Sequence, residues 1–250
     1  MKKTLIVLLA LAMVCAGAAV VMAKVSGSPH DLRSGGTAGE ICAFCHTPHS
    51  SSSDSATHAP LWNRSSSTAT YITYSSATFD MSATVGQPSI GSLGCLVCHN
   101  GQVSGLVNYP GPGSVPSALY ANFTMSNYGN PVYSNWANLG TDLSNDHPIG
   151  FTYNPALDAV TDNNGFPTAV NGWIPGQTNS GAGGKYKLYG TGANKFECAT
   201  CHSVHDTDST YDHNGWSTAT TNHIGGGNQV YFLRTTNTAS ELCQDCHVNR

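Results

Sequence analysis

Charge is the scarcest property of this sequence. Ten Lys and Arg and 14 Asp and Glu make up only 10% of 250 residues. That excludes a charged coiled coil, a basic nucleic-acid binder and an acidic disordered tail. Methionine is nearly missing too: of five, only Met81 and Met125 lie beyond residue 23. Apolar residues reach 40%, and the aliphatic ones are concentrated at the N-terminus. Beyond it no segment approaches the roughly 18 apolar residues that span a bilayer. Gly, Pro, Ser and Gln together supply about 28% of the chain, in the range of low-complexity sequence. Side chains alone make a poor core here, so another group must supply apolar volume.

Residues 1–23 read as a secretory signal peptide. Lys2 and Lys3 form the basic region, Leu5 to Val14 the apolar region, and Val21-Met22-Ala23 the cleavage site. A membrane anchor is the rival reading, but the small residues Ala16 to Ala19 favour removal. The expected mature chain, 24–250, has no membrane span.

Cysteine is what the chain does have. Setting aside Cys15, all eight cysteines fall into Cys42-Ala-Phe-Cys45-His46, Cys95-Leu-Val-Cys98-His99, Cys198-Ala-Thr-Cys201-His202 and Cys243-Gln-Asp-Cys246-His247. C-x-x-C-H is the attachment signature of c-type haem. On a helical turn residues i and i+3 share a face, so both thiols reach one porphyrin. The following histidine then meets the iron as proximal ligand. A disulfide scaffold, a zinc site or a thioredoxin-like pair would use the cysteines but not a histidine after all four pairs. Four covalently bound c-type haems are therefore expected. The fold class expected with them is mostly irregular coil with few short helices, wrapped around a chain of stacked haems.

The pentads also repeat. The first and third continue to His49 and His205 as C-x-x-C-H-x-x-H, and the second and fourth follow about fifty residues later without that histidine. A single tetrahaem domain made of two dihaem units results, 36–105 and 190–250, joined by a loop-rich middle segment, 106–189. Thr37-Ala-Gly-Glu40 and Thr238-Ala-Ser-Glu241 are T-x-x-E boxes just before the first and fourth pentads, which predicts capped helices there. The middle segment is rich in turns and aromatics, expected to pack on porphyrin faces or on each other.

Four irons also need distal ligands. With methionine scarce and seven further histidines present (His30, His49, His58, His147, His205, His213 and His223), bis-histidine ligation is expected throughout. His49 and His205 lie too close to their own proximal histidines to fold back. They are assigned to the next haem along, His49 to haem two and His205 to haem four. Asp146-His147-Pro148 places His147 on haem one, with His30 in Ser28-Pro29-His30-Asp31 the other candidate. His58, His213 and His223 sit in polar surroundings and read as surface residues, and Asp206, Asp208 and Asp212 as a solvated loop. Arg33, Arg64 and Arg234 are possible propionate partners or solvated surface residues. Asn63-Arg-Ser65 and Asn122-Phe-Thr124 match the N-glycosylation pattern.

Gly27-Ser-Pro-His-Asp31, Cys42 to His49, Pro60-Leu-Trp-Asn63, Cys95 to His99, Asp146-His-Pro-Ile-Gly150 and Phe232-Leu-Arg234 occur in this order. In that order the chain resembles the tetrahaem extracellular nanowire cytochromes, within the doubled C-x-x-C-H multihaem cytochromes. The resemblance implies a homopolymer stacked head to tail, with one axial histidine given by the neighbouring subunit. His30 is the candidate for that role, ligating haem three of the adjacent subunit, against ligation within its own chain. The expected function is a secreted, extracellular, electron-conducting filament serving redox partner proteins and extracellular acceptors. The alternatives are a monomeric periplasmic electron shuttle and, as an enzyme, a multihaem reductase with an open iron. No catalytic constellation is visible, so an enzyme is not expected.

Overall fold

The computed structural model describes residues 25, 30, 32, 41–52, 59–77, 79, 85–103, 123–124, 138–157, 167–169, 172–175, 185–205, 232–234 and 240–247. The signal segment, Thr37 to Glu40, Thr238, His58, His213, His223, Arg33, Asn122 and the Asp206–Asp212 loop lie outside them. Among the described residues no helix is long and apolar enough to cross a membrane.

The elements are short and centre on the pentads. A 3₁₀ turn, Ile41–Phe44, carries the first. Helix α1, Leu93–His99, carries the second, α2, Cys198–Cys201, the third, and α3, Glu241–Gln244, the fourth. In pentads one, three and four the histidine N–H closes the turn on the first cysteine's carbonyl: His46 to Cys42 at 2.8 Å, His202 to Cys198 at 3.0 Å and His247 to Cys243 at 2.8 Å. This is the i to i−4 bond of one helical turn, and it sets both cysteines on one face.

Three two-stranded antiparallel sheets complete the frame. Strand β1, Gln102–Val103, pairs with β2, Phe123–Thr124. Strand β3, Phe151–Thr152, pairs with β6, Lys195–Phe196, in the register Phe151 to Phe196. Strand β4, Trp173–Ile174, pairs with β5, Tyr186–Lys187, in the register Ile174 to Tyr186.

The larger apolar cluster forms where β3, β5 and β6 meet: Phe151, Tyr153, Ile174, Tyr186, Leu188 and Phe196 are buried together. Phe151 stacks on Phe196 at 5.2 Å between ring centres, and Phe79 meets Phe151 edge-on at 5.1 Å. Phe151, Tyr153 and Tyr186 of the middle segment thus share one cluster with Phe196 of the second unit, and Cys201, Leu242 and Cys246 lie against it; Tyr109, Tyr120, Tyr128, Tyr133 and Trp136 lie outside the described residues. A second cluster, Tyr71, Leu96 and Leu143, backs α1. There the Gln87 amide acts as a strand partner, accepting from Tyr71 N–H and donating to Tyr71 C=O, both at 2.8 Å. Gly150, at φ +78°, lets the segment after His147 pass Gly86; a Cβ would sit 2.7 Å from the Gly86 carbonyl oxygen.

Candidate functional site

Pentads one and three are built alike. After each, the chain forms an isolated antiparallel bridge with a later segment, His46 to Trp62 and His202 to Leu233. Thr47 N–H donates to Leu61 C=O and Asn63 N–H to Cys45 C=O, each at 2.8 Å; Ser203 N–H donates to Phe232 C=O at 2.7 Å and Arg234 N–H to Cys201 C=O at 2.8 Å. Side chains repeat the role. Asn63 Nδ2 donates to Ala43 C=O at 3.0 Å, and Arg234 Nε to Ala199 C=O at 3.0 Å. Both carbonyls belong to the residue after a pentad's first cysteine. Asn63 is fully buried with its amide nitrogen engaged, so it does not serve as a glycan acceptor.

Three pentad histidines each face a histidine from elsewhere in the chain. The ring centres are 5.8 Å apart for His46 and His205, 5.9 Å for His30 and His99, and 6.4 Å for His147 and His247. With a metal–imidazole bond of about 2 Å and a ring radius of roughly 1.1 Å, two imidazoles on one metal have centres about 6 Å apart. The angle between the planes is free about the shared axis, so the observed 38°, 53° and 72° all fit. Phe232 stacks on His30 at 4.5 Å and holds its ring against His99. His49 is exposed on the turn after pentad one, its carbonyl accepting from Thr47 Oγ1 at 2.9 Å. His49 and His202 stand outside these three ring pairs.

The partners differ from those that chain spacing suggests. His205 faces the first pentad, where spacing assigned it to the fourth. His147 faces the fourth, where its motif was assigned to the first. His30 faces the second pentad of its own chain, where the resemblance implied haem three of a neighbour.

His30, His147 and His205 are shifted toward the neutral form, the one that binds metal. Burial, then the charges of His99, His202 and His205, hold His30 down to about 4. Burial lowers His147, and burial followed by the His46 charge lowers His205. His46 Nδ1 lies 2.7 Å from Pro60 C=O and His147 Nδ1 3.0 Å from Pro148 C=O. A carbonyl only accepts, so each Nδ1 carries the proton and leaves the Nε2 lone pair for a metal.

None of the eight pentad cysteines forms a disulfide. Burial pushes Cys45 up to about 11, with the Cys98 charge next. Cys201 and Cys246 rise to about 12, again by burial first, then the charges of Cys198 and Cys201 respectively. Cys95 is raised chiefly by its hydrogen bond with Cys198, and then by burial. Cys198 is lowered, chiefly by its hydrogen bond with Cys95. At Cys45, Cys95, Cys201 and Cys246 the surroundings favour an uncharged sulfur, as in a thioether, over the thiolate that zinc or disulfide exchange requires. Among the described residues no group of three or more His, Cys, Asp or Glu converges on a metal position. The interactions Cys45 to Cys98, Cys95 to Cys198 and Cys201 to Cys246 also join the pentads in the order one, two, three, four.

Buried polar groups line this series. Arg64 is fully buried with Nε donating to Phe44 C=O at 2.8 Å. Nearby, Trp62 Nε1 and Ser66 Oγ are buried donors with no hydrogen-bond partner among the described residues, which suits a group bringing carboxylates, as haem does. Glu197 is fully buried before Cys198; it accepts from Ser89 Oγ at 2.5 Å and from Ser92 Oγ, tying α2 to the start of α1. Asp245, inside pentad four, pairs with Lys185 at 2.6 Å and accepts from Tyr186 OH at 2.5 Å, out of contact with water.

Sequence reasoning passed over Glu197, Lys185 and Asp245. Asp245 carried a signal, as the one charged residue at a variable position of any pentad. Arg64, equally consistent with a solvated position, is fully buried.

No protein-family model matches the chain, and a search of curated proteins finds no match.

Proposed function

We propose that the chain is an exported tetrahaem c-type cytochrome that carries electrons and assembles into a conducting filament. The observation that carries this reading is the set of three histidine pairs, each joining a pentad histidine to a distant histidine at the spacing of two ligands on one iron. Cys42 and Cys45, Cys95 and Cys98, Cys198 and Cys201, and Cys243 and Cys246 would hold the four macrocycles by thioether bonds. His46, His99, His202 and His247 would be the proximal ligands, with His205, His30 and His147 opposite the first, second and fourth. Bound haem supplies a one-electron couple. The protein's part is to fix both axial imidazoles, exclude small molecules from the iron and set adjoining pentads in sequence. A closed iron favours electron transfer over reductase chemistry.

The filament is what the resemblance implies: copies stacked head to tail, through a joint that is heterologous and propagates unless rotation closes it. Within the chain, the H-x-x-H histidine of the second unit, His205, faces the first unit's proximal His46.

A pyridine haemochrome assay, a low-spin absorbance spectrum and negative-stain microscopy test this. Four haems per chain, all low-spin in filaments, are expected. Four low-spin haems in a wild-type monomer would favour the periplasmic shuttle. Carbon monoxide binding by wild-type protein would favour the reductase, and fewer than four haems would sink the reading.

A further inference from the structure

Among the described residues four charged side chains are buried: Arg64, Lys185, Glu197 and Asp245. Their signs are unevenly divided between the two units. Arg64 lies in the first, where it is anchored through Nε to Phe44, between the two cysteines of pentad one. Its positive charge reaches further, pulling down the thiols of both Cys45 and Cys98, so it acts on the first and second pentads together. The second unit holds two buried carboxylates, Glu197 and Asp245, and the middle segment the ammonium of Lys185. Lys185 and Asp245 form a pair; the Glu197 carboxyl accepts from Ser89 N–H and from the hydroxyls of Ser89 and Ser92, and feels the Lys195 charge. Its charge acts on both Cys95 and Cys198. Arg234 occupies the place in unit two that Asn63 holds in unit one, but it is half-buried and hydrogen-bonded to Tyr189 OH at 3.2 Å, so water screens it more.

We infer that Arg64 is an electrostatic tuning residue that raises the reduction potential of haem one, that Glu197 lowers that of haem three, and that the two charges oppose each other at haem two. Adding an electron to a haem adds a negative charge. A fixed cation a few ångströms away in a low-dielectric interior lowers the cost of that charge, and a fixed anion raises it. The haem carboxylates that Trp62 Nε1 and Ser66 Oγ are placed to receive make Arg64 matter more, because its removal leaves them uncompensated. Electrons entering the chain therefore rest first on haem one, and transfer from haem three toward haem one runs downhill within one subunit.

The inference rests on the tetrahaem reading, and one preparation separates the two. The haemochrome count is taken first, and fewer than four haems in wild type overturns the reading itself. With four present, a spectroelectrochemical titration follows, and exchange NMR identifies which haems reduce first. Haem one should fill before haem three. Arg64→Gln should lower the potential of the first pair at least tenfold in reduction equilibrium, about 59 mV for one electron, and leave haem four in place. Arg64→Lys, which keeps the charge and loses the fork, should restore the wild-type midpoints; a purely structural role would give both variants the same spectrum and the same shift. Glu197→Gln should raise the midpoints of haems two and three. Unchanged midpoints in Arg64→Gln, or a wild type in which haem three fills before haem one, overturns the inference. If Arg64→Gln loses haem, the Glu197→Gln shift and the wild-type filling order decide it.

Discussion

Leu61 and Phe232 share one unusual backbone conformation, φ +55° in both, and each offers its carbonyl to the residue just after a pentad histidine. Neither is glycine, and the left-handed region costs an L-residue roughly 1–2 kcal/mol. The bridge that clamps each C-x-x-C-H turn imposes it. Two stretches with different side chains thus do the same work through the same backbone path.

The pair gives opposite predictions for one substitution. Leu61 is 52% exposed, so Leu61→Gly relieves the φ strain and loses little packing. After the extra freedom glycine brings to the unfolded chain, the net should be a gain of up to about 1 kcal/mol. Phe232→Gly gains the same relief but removes the ring stacked on His30. Packing and stacking together should make it about 1–2 kcal/mol less stable than wild type. Urea unfolding of the haem-loaded proteins, followed by tryptophan fluorescence, measures both; a loss at Leu61 would contradict the strain argument.

How far the sequence could be read is visible in the same residues. Haem attachment needs contiguous spacing, so the four pentads stood out. The choice of distal ligand depends on where the chain returns after long excursions. His205 lies 159 positions beyond His46, and no local pattern encodes their meeting. Pro60-Leu-Trp-Asn63 and Phe232-Leu-Arg234 were each visible as motifs, yet their equivalence is one of hydrogen bonds and dihedrals. Arg64 illustrates another limit, since an arginine in a Ser-rich stretch looks solvated until the fold closes over it.

Glu197 should give the protein a pH dependence of defined sign. Burial raises its carboxyl above the ordinary 4.5, against the serine hydrogen bonds and the Lys195 charge, which pull it down. A carboxyl with a higher pKa folded than unfolded binds its proton more tightly when folded. Its stabilisation is complete below the unfolded value and is lost as pH rises through the folded one. The stability of Glu197→Gln relative to wild type should therefore increase as pH rises above 4.5 and level off beyond the folded pKa. Glu197→Ala, which leaves two serine hydroxyls without their acceptor, should lose about 1–3 kcal/mol at every pH. Paired denaturation curves from pH 4 to pH 8 check both; a flat difference for the glutamine variant would remove Glu197 from the acid response.

The Lys185, Asp245 and Tyr186 group should behave as a unit. Breaking it with Lys185→Met strands a carboxylate in the interior and should cost about 3–5 kcal/mol. Replacing all three together, Lys185→Met, Tyr186→Phe and Asp245→Leu, removes the buried charges and the hydroxyl at once. That protein should lie within about 1 kcal/mol of wild type. The haem count must be confirmed in each variant, because Asp245 lies between the two cysteines of pentad four. Additive losses across the series would mean the three residues act separately.

The assignment of His205 to the first haem can be separated from its assignment to the fourth by deleting one attachment site. The 5.8 Å approach of His205 to His46 predicts that the two share an iron, whereas chain spacing alone pointed to His247. In otherwise wild-type protein, His205→Ala should open one of four irons and bind one carbon monoxide per chain when reduced, whichever haem it serves. The discriminating background is Cys42→Ser with Cys45→Ser, which removes the first haem and leaves His46 without a partner metal. If His205 belongs to haem one, adding His205→Ala there creates no new open iron, and the reduced protein binds no carbon monoxide. If it belongs to haem four, the same addition still yields one equivalent. The mirror experiment removes the fourth haem with Cys243→Ser and Cys246→Ser and adds His147→Ala, where the 6.4 Å pairing with His247 again predicts no carbon monoxide binding. One equivalent bound in either deleted background would mean that the ring pair is a packing contact and that the ligand set must be drawn again.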